Sequence, residues 1–151
     1  MEDSNPYDAP GPANRILALD LGKRRIGLAL SDPLGFTAQG LETVERASIR
    51  SDLAELAGII SRHDVSLILM GNPLHMSGRQ SRQAEYAREF ADRLNEATGV
   101  PVEFRDERLT TVQAERVLRE GGVHLRKQRA KSIDRLSAVI LLQDYLDSRR
   151  L

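Results

Sequence analysis

Three carboxylates lying far apart in the sequence hold the most chemical potential in this chain. Asp20 closes the apolar run RILALDLG, where an ionised carboxylate is costly to bury unless it is paired or ligates a cation. Asp106 and Glu107 sit where a second run, VPVEFRDE, ends, and strand alternation sends them to opposite faces, so only one can join Asp20. Asp134 stands at the start of an apolar helical pattern, Ile133 to Leu146. Two strand-end acids and one helix acid are the oxygen donor set of a pair of hard cations, Mg2+ or Mn2+. Two such ions about 3.5–4 Å apart assist phosphodiester hydrolysis by activating water and stabilising the leaving oxygen. Each acid also has an ordinary reading. Asp20 could organise a tight turn, Asp106 and Glu107 could be solvated partners of Arg105 and Arg108, and Asp134 could be a first-turn charge favoured by the helix dipole. A chain with 22 acids contains many triples.

Cations accompany two of these acids. Gly22 permits close approach of backbone or phosphate, and Lys23, Arg24 and Arg25 follow it in the turn after Asp20. A second cluster, RKQRAKSIDR over residues 126–135, contributes Arg126, Lys127, Arg129 and Lys131 immediately before Asp134. Lys23, Arg24, Arg126, Lys127, Arg129 and Lys131 are the candidate contacts to a nucleic-acid backbone. The overall charge is zero, 22 bases against 22 acids, so no global field draws a polyanion and the segregation of charge is what matters. Phosphate contacts fix position without reading sequence, which leaves substrate choice to shape or to single-stranded bases. With three Phe, three Tyr and no Trp, a stacking platform for single strands is disfavoured; Phe104 and Tyr145 read as core. His63 reads as a structural helix-end residue. His75 and His124, in loops, are weaker candidates for protonating a leaving oxygen.

The elements that must position these residues follow from periodicity. RILALDLG and KRRIGLALS read as a hairpin around Gly22, and a third extended piece, Phe36 to Val44, follows the turn residues Asp32, Pro33 and Gly35. Ile49, Leu53, Leu56 and Ile60 mark a helix with Ser48 or Ser51 as N-cap. Val65 to Met70 reads as a strand covered on both faces. GNPLHMSGRQS is a loop; Ala84, Ala87, Phe90, Ala91 and Leu94 mark a second helix that Gly99 closes. The strand VPVEFRDE precedes a helix opened by Thr110 and Gln113 and ended by Gly121-Gly122, then a basic loop and the last helix. Three consecutive strands with short connections imply an antiparallel meander, and strands separated by helices imply parallel additions. The expected fold is α/β, a mixed sheet of three antiparallel and then two parallel strands flanked by helices.

Residues 1–14, MEDSNPYDAPGPAN, lack periodicity and hold three prolines and three acids. They read as a disordered leader opposite in character to a secretory signal, with one domain expected over residues 15–151. The absence of cysteine excludes a disulfide framework, a thiolate zinc site and a cysteine nucleophile. No apolar run reaches the ~18 residues that span a bilayer, so a membrane partner is not expected and the cytoplasm is the expected location.

DLGKRRIGLALSD (Asp20 to Asp32), GNPLHMSG (Gly71 to Gly78), FRDERLTT (Phe104 to Thr111) and KSIDRLSAVILLQDYL (Lys131 to Leu146) resemble, in order and spacing, the four blocks of the YqgF family, also called RuvX or Holliday junction resolvase. The resemblance covers about residues 15–148. It implies an RNase H-like fold, divalent-metal nuclease chemistry, a cytoplasmic bacterial location and processing of the 5′ end of pre-16S ribosomal RNA. The family's proposed metal ligands match Asp20, Glu107 and Asp134, which selects Glu107 over Asp106. One departure is visible, Gly71-Asn72-Pro73 where the family usually has Gly-Leu-Pro. Structured RNA, a ribosomal precursor or branched DNA are the implied partners. Junction cutting requires a homodimer with two sites, whereas a single cut in RNA is compatible with a monomer. A module that docks on RNA without cutting is a different class of reading. The first block alone is also similar to the phosphate-binding strand of actin-like sugar kinases, but the chain is short for a two-lobed kinase and has no Walker-type loop.

Overall fold

A central strand apolar on both faces organises the molecule. The computed structural model describes residues 15–72, 80–106, 116, 120 and 126–149. In it β1 (Arg15–Leu21) runs antiparallel to β2 (Arg25–Ser31), which runs antiparallel to β3 (Ala38–Glu45); β4 (Val65–Asn72) lies parallel to β1, and β5 (Val102–Asp106) parallel to β4. The sheet order is β3-β2-β1-β4-β5, the expected meander with two parallel additions. Among the described residues, three helices seen along their length flank it: α1 (Ile49–Arg62), α2 (Gln80–Thr98) and α3 (Arg126–Ser148).

Period-two alternation in β1 divides the core into two layers. Leu17 and Leu19 face α1 and α2, packing in one cluster with Leu56, Ile59, Ile60, Phe90 and Leu94. Ile16 and Ala18 face α3, in a second cluster with Ala29, Leu69, Ala138, Leu141, Leu142 and Leu146. Phe104 packs against the first cluster and Tyr145 against the second, each partly buried at the margin of the core rather than within it. Small residues bring α3 close to the sheet. A Cβ built on Gly27 would lie 1.9 Å from the Asp134 backbone oxygen, and one on Gly40 would lie 2.7 Å from the aliphatic stem of Arg135.

Local signals explain the helix ends. Ser48 is the N-cap of α1 and accepts from the Ser51 N–H at 3.1 Å, while Ser51 Oγ accepts from the Ser48 N–H at 3.3 Å, a reciprocal capping box. Gly99, at φ 74°, ends α2 and donates to Asn95 O at 2.7 Å. The buried face of α1 is Asp52, Leu56, Ile59 and Ile60, so it contains an acid that apolar periodicity does not mark.

Two expectations are corrected at α3. The basic stretch from Arg126 is helix rather than loop, and Asp134 therefore lies about two turns inside α3 rather than in its first turn. Arg, Lys, Gln and Ala are strong helix formers, and neither Gly nor Pro interrupts residues 126–135. The dipole account of Asp134 lapses with this change, because that effect fades beyond the first turn. The helix expected from Thr110 lies outside the described residues apart from Arg116 and Glu120, which are helical. Residues 1–14 also lie outside them.

Candidate active site

The parallel strands β1, β4 and β5 finish at one edge of the sheet, with Asp20, Asn72 and Asp106 near their carboxyl ends. Asp20 is directly opposite Gly27 in the β1–β2 register, and opposed residues share a face of the sheet. That face is the one α3 covers at Asp134, whose backbone carbon and oxygen stand 2.4 and 1.9 Å from where a Gly27 Cβ would be. Asp20 and Asp134, 114 positions apart by subtraction (134 − 20), are thus brought together by a glycine on the strand between them. Asp20 is half-buried.

The Asp134 carboxylate, with a side-chain exposure of 23%, lies 3.9 Å from Arg25 Nη1, and Arg25 Nε lies 3.5 Å from Glu45 Oε1. Burial raises the Asp134 pKa above its ordinary value; Arg25 opposes that shift and the negative charge of Glu45 adds to it. Gly22, Lys23, Arg24, Arg25, Ile133 and Asp134 line a cleft of about 360 Å³. Lys23 and Arg24 are exposed at its rim. The turn beneath them is tight: the Gly22 N–H donates to Arg25 O at 2.9 Å, and a Cβ at Gly22 would come within 2.7 Å of that oxygen.

Of the other candidates, Glu107, His75 and His124 lie outside the described residues. Arg126, Lys127, Arg129 and Lys131 belong to the opening turns of α3, on the helix that carries Asp134. His63 is the C-cap of α1, ahead of the amino end of β4 and so at the opposite edge of the sheet. Among the described residues no group of three His, Cys, Asp or Glu could hold a metal ion. Asp20 and Asp134 nevertheless fit a hard divalent cation in kind, being oxygen donors on adjoining backbone with one carboxylate largely withdrawn from water.

Sequence reasoning missed Arg46 and Asp52. Arg46 follows β3 directly and donates from Nη1 to Gly22 O at 2.9 Å, and its Nε pairs with Asp52 Oδ2 at 3.1 Å. The available signal was Asp52 itself, four residues before Leu56 on the buried face of α1.

A five-stranded sheet of this order, covered by helices on both faces and carrying one acid, Asp20, near the end of its central strand, is an RNase H-like fold. The family model of RuvX, Holliday junction resolvase, matches residues 14–148. The chain belongs to the RuvX family and is a phosphodiester-cleaving hydrolase of that class. A protein from Koribacter versatilis (strain Ellin345) is 52% identical over 135 residues, covering 89% of this chain and 88% of its own length. One from Myxococcus xanthus (strain DK1622) is 48% identical over 136 residues, 90% of this chain and 89% of that one. Both are named "Putative pre-16S rRNA nuclease". RuvC of Thermus thermophilus in complex with a Holliday junction substrate superposes with a TM-score of 0.58 at 15% identity, over 91% of this chain and 96% of that one. Fowlpox virus resolvase with Holliday junction DNA gives a TM-score of 0.52 at 13% identity, over 89% and 98%. At such identities the likeness is one of fold. No helix among the described residues is long and apolar enough to cross a membrane.

Proposed function

We propose that this chain is a divalent-metal-dependent endonuclease that processes the 5′ end of pre-16S ribosomal RNA in the cytoplasm. The observation that carries the reading is the seating of Asp134 on Gly27, the register partner of Asp20. The names of the curated relatives support the substrate. Asp20, Glu107 and Asp134 would hold two Mg2+ or Mn2+ ions. The resemblance of FRDERLTT to the family's block supports Glu107 over Asp106 as the third acid.

The metal pair, when bound, supplies activation of water and stabilisation of the leaving oxygen. The protein's own residues do the rest. Asp20 would be aligned by β1 and Asp134 by α3, two rigid elements that approach each other through Gly27, which is how a donor set is held to a small tolerance. Lys23 and Arg24 from the turn, with Arg126, Lys127, Arg129 and Lys131 from α3, hold the phosphodiester backbone against the cleft. Such contacts carry no base information, so the fold of the RNA selects the cut.

The test is incubation of the wild-type chain and Asp20→Asn with a labelled pre-16S ribosomal RNA fragment and with a four-way DNA junction, each in Mn2+, Mg2+ or chelator. The reading expects metal-dependent cleavage of the RNA, lost in the variant. Symmetric cutting of the junction alone, by a dimer, would replace this substrate with branched DNA; binding of both by both proteins without cutting would reduce the chain to a docking module.

A further inference from the structure

Lys23 and Arg24 are exposed cations on a short turn, and exposed ion pairs yield little unless the side chains are held in place, because immobilising them costs entropy. Something must fix that turn if it is to present charge to a phosphate. Arg46 holds it at both ends. Its backbone N–H donates to Arg24 O at 2.8 Å, and its Nη1 donates to Gly22 O at 2.9 Å. The guanidinium is itself anchored in the opposite layer. Nε donates to Asp52 Oδ2 at 3.1 Å, Nη2 donates to the Tyr86 hydroxyl, and the group lies 5.5 Å from the Phe90 ring centroid and 5.6 Å from that of Tyr86. Asp52 also accepts the Ala47 N–H at 3.0 Å. Burial works against the Arg46 charge, but Tyr86 and Asp52 more than offset it, and the group stays cationic.

We infer that Arg46 is a positioning residue, which acts through the Gly22–Arg24 turn to aim Lys23 and Arg24 at the nucleic-acid backbone. The inference rests on the proposed reading of that turn as a phosphate contact. Stability alone does not account for the arrangement. The Arg46 and Asp52 side chains are 11% and 2% exposed, and a buried pair of this kind contributes little net stability compared with apolar residues of similar volume. What apolar residues could not supply is a directed donor to the Gly22 carbonyl. The guanidinium fork bonds Asp52, Tyr86 and Gly22 at once, so α1 and α2 set the geometry of a turn at the edge of the cleft. A lysine has no such fork.

The test is binding of a labelled structured pre-16S ribosomal RNA fragment by the full chain, in chelator so that nothing is cut, over a range of salt concentrations. Wild type, Arg46→Lys, Tyr86→Phe, Lys23→Ala/Arg24→Ala and the triple variant Lys23→Ala/Arg24→Ala/Arg46→Lys are compared, with circular dichroism to check folding. Losing both turn cations should weaken binding and flatten the salt dependence by roughly 0.7–0.9 in slope for each phosphate contact removed. Arg46→Lys should weaken binding about fivefold and flatten the slope in the same direction. In the background already lacking Lys23 and Arg24 it should add less than about twofold, because a residue acting through others is non-additive with them. Equal losses in both backgrounds, or a folded Arg46→Lys that binds like wild type, overturn the inference. Unchanged binding by Lys23→Ala/Arg24→Ala instead overturns the underlying reading of the turn, and the inference with it. If Arg46→Lys does not fold, Tyr86→Phe carries the test: it keeps the ring and removes one anchor, and is expected to weaken binding about twofold only where Lys23 and Arg24 are present. No effect of Tyr86→Phe then counts as refutation.

Discussion

Gly27 and Asp134 are in backbone contact: the strand residue has no side chain because the helix residue's carbonyl occupies the space, 1.9 Å from an ideal Cβ. The neighbouring atoms are main chain on a 23-residue helix, so they cannot yield as a flexible side chain would. Gly27→Ala should therefore push α3 from the sheet, destabilise the protein by about 1–3 kcal/mol as an overpacked core does, and reduce cleavage more than tenfold by moving Asp134 away from Asp20. Gly40→Ala is the matched control. Its Cβ would meet the Arg135 stem, which can rotate away, and its cost should stay within about 0.5 kcal/mol. Urea unfolding of both variants and a cleavage assay check the contrast.

The β2–β3 turn offers a pH prediction remote from the cleft. Asp32 Oδ1 accepts from the Thr37 N–H at 2.8 Å and the Phe36 N–H at 2.7 Å, and these bonds hold its carboxyl below the ordinary value. A depressed folded pKa contributes stability that is present above the unfolded value near 3.8 and is lost as pH falls through the folded value. Asp32→Ala should cost less than about 1 kcal/mol at neutral pH, since the group is exposed. The difference from wild type should shrink below pH 4. Denaturant melts at pH 7, 4 and 2.5 measure it.

The opening turns of α3 carry the third prediction. Because Ala130 is helical, Ala130→Gly should lower stability by about 0.5–1 kcal/mol and reduce the helical signal in circular dichroism. A loop at this position would leave both unchanged.

How far the sequence could be read depended on which residues carried the signal. Apolar runs in RILALDLG and KRRIGLALS joined by one short turn defined the hairpin, the third extended piece after Asp32, Pro33 and Gly35 completed the meander, and continuous apolar character in VSLILM marked the parallel strand beside it. Asp20 stood out because a carboxylate at the end of an apolar run needs a reason. The start of α3 was not legible: Gly121-Gly122 and a cluster of like charges read as loop, although every residue from Arg126 to Arg135 tolerates a helix. Asp52 and Arg46 escaped because apolar periodicity has no place for a buried ion pair. The meaning of Gly27 emerges only when a helix more than 100 positions away, by subtraction (134 − 27), lies against it.

The central claim is that Asp20 and Asp134 belong to one metal site. Titration of Mn2+ into wild type, Asp20→Asn and Asp134→Asn, followed by the paramagnetic signal of the free ion, tests it most directly. Both substitutions are near-isosteric, and both variants should retain the wild-type dichroism spectrum and RNA binding in chelator while losing Mn2+ binding by at least about tenfold. Mn2+ bound equally well by wild type and both variants would contradict the account, as would loss in one variant alone.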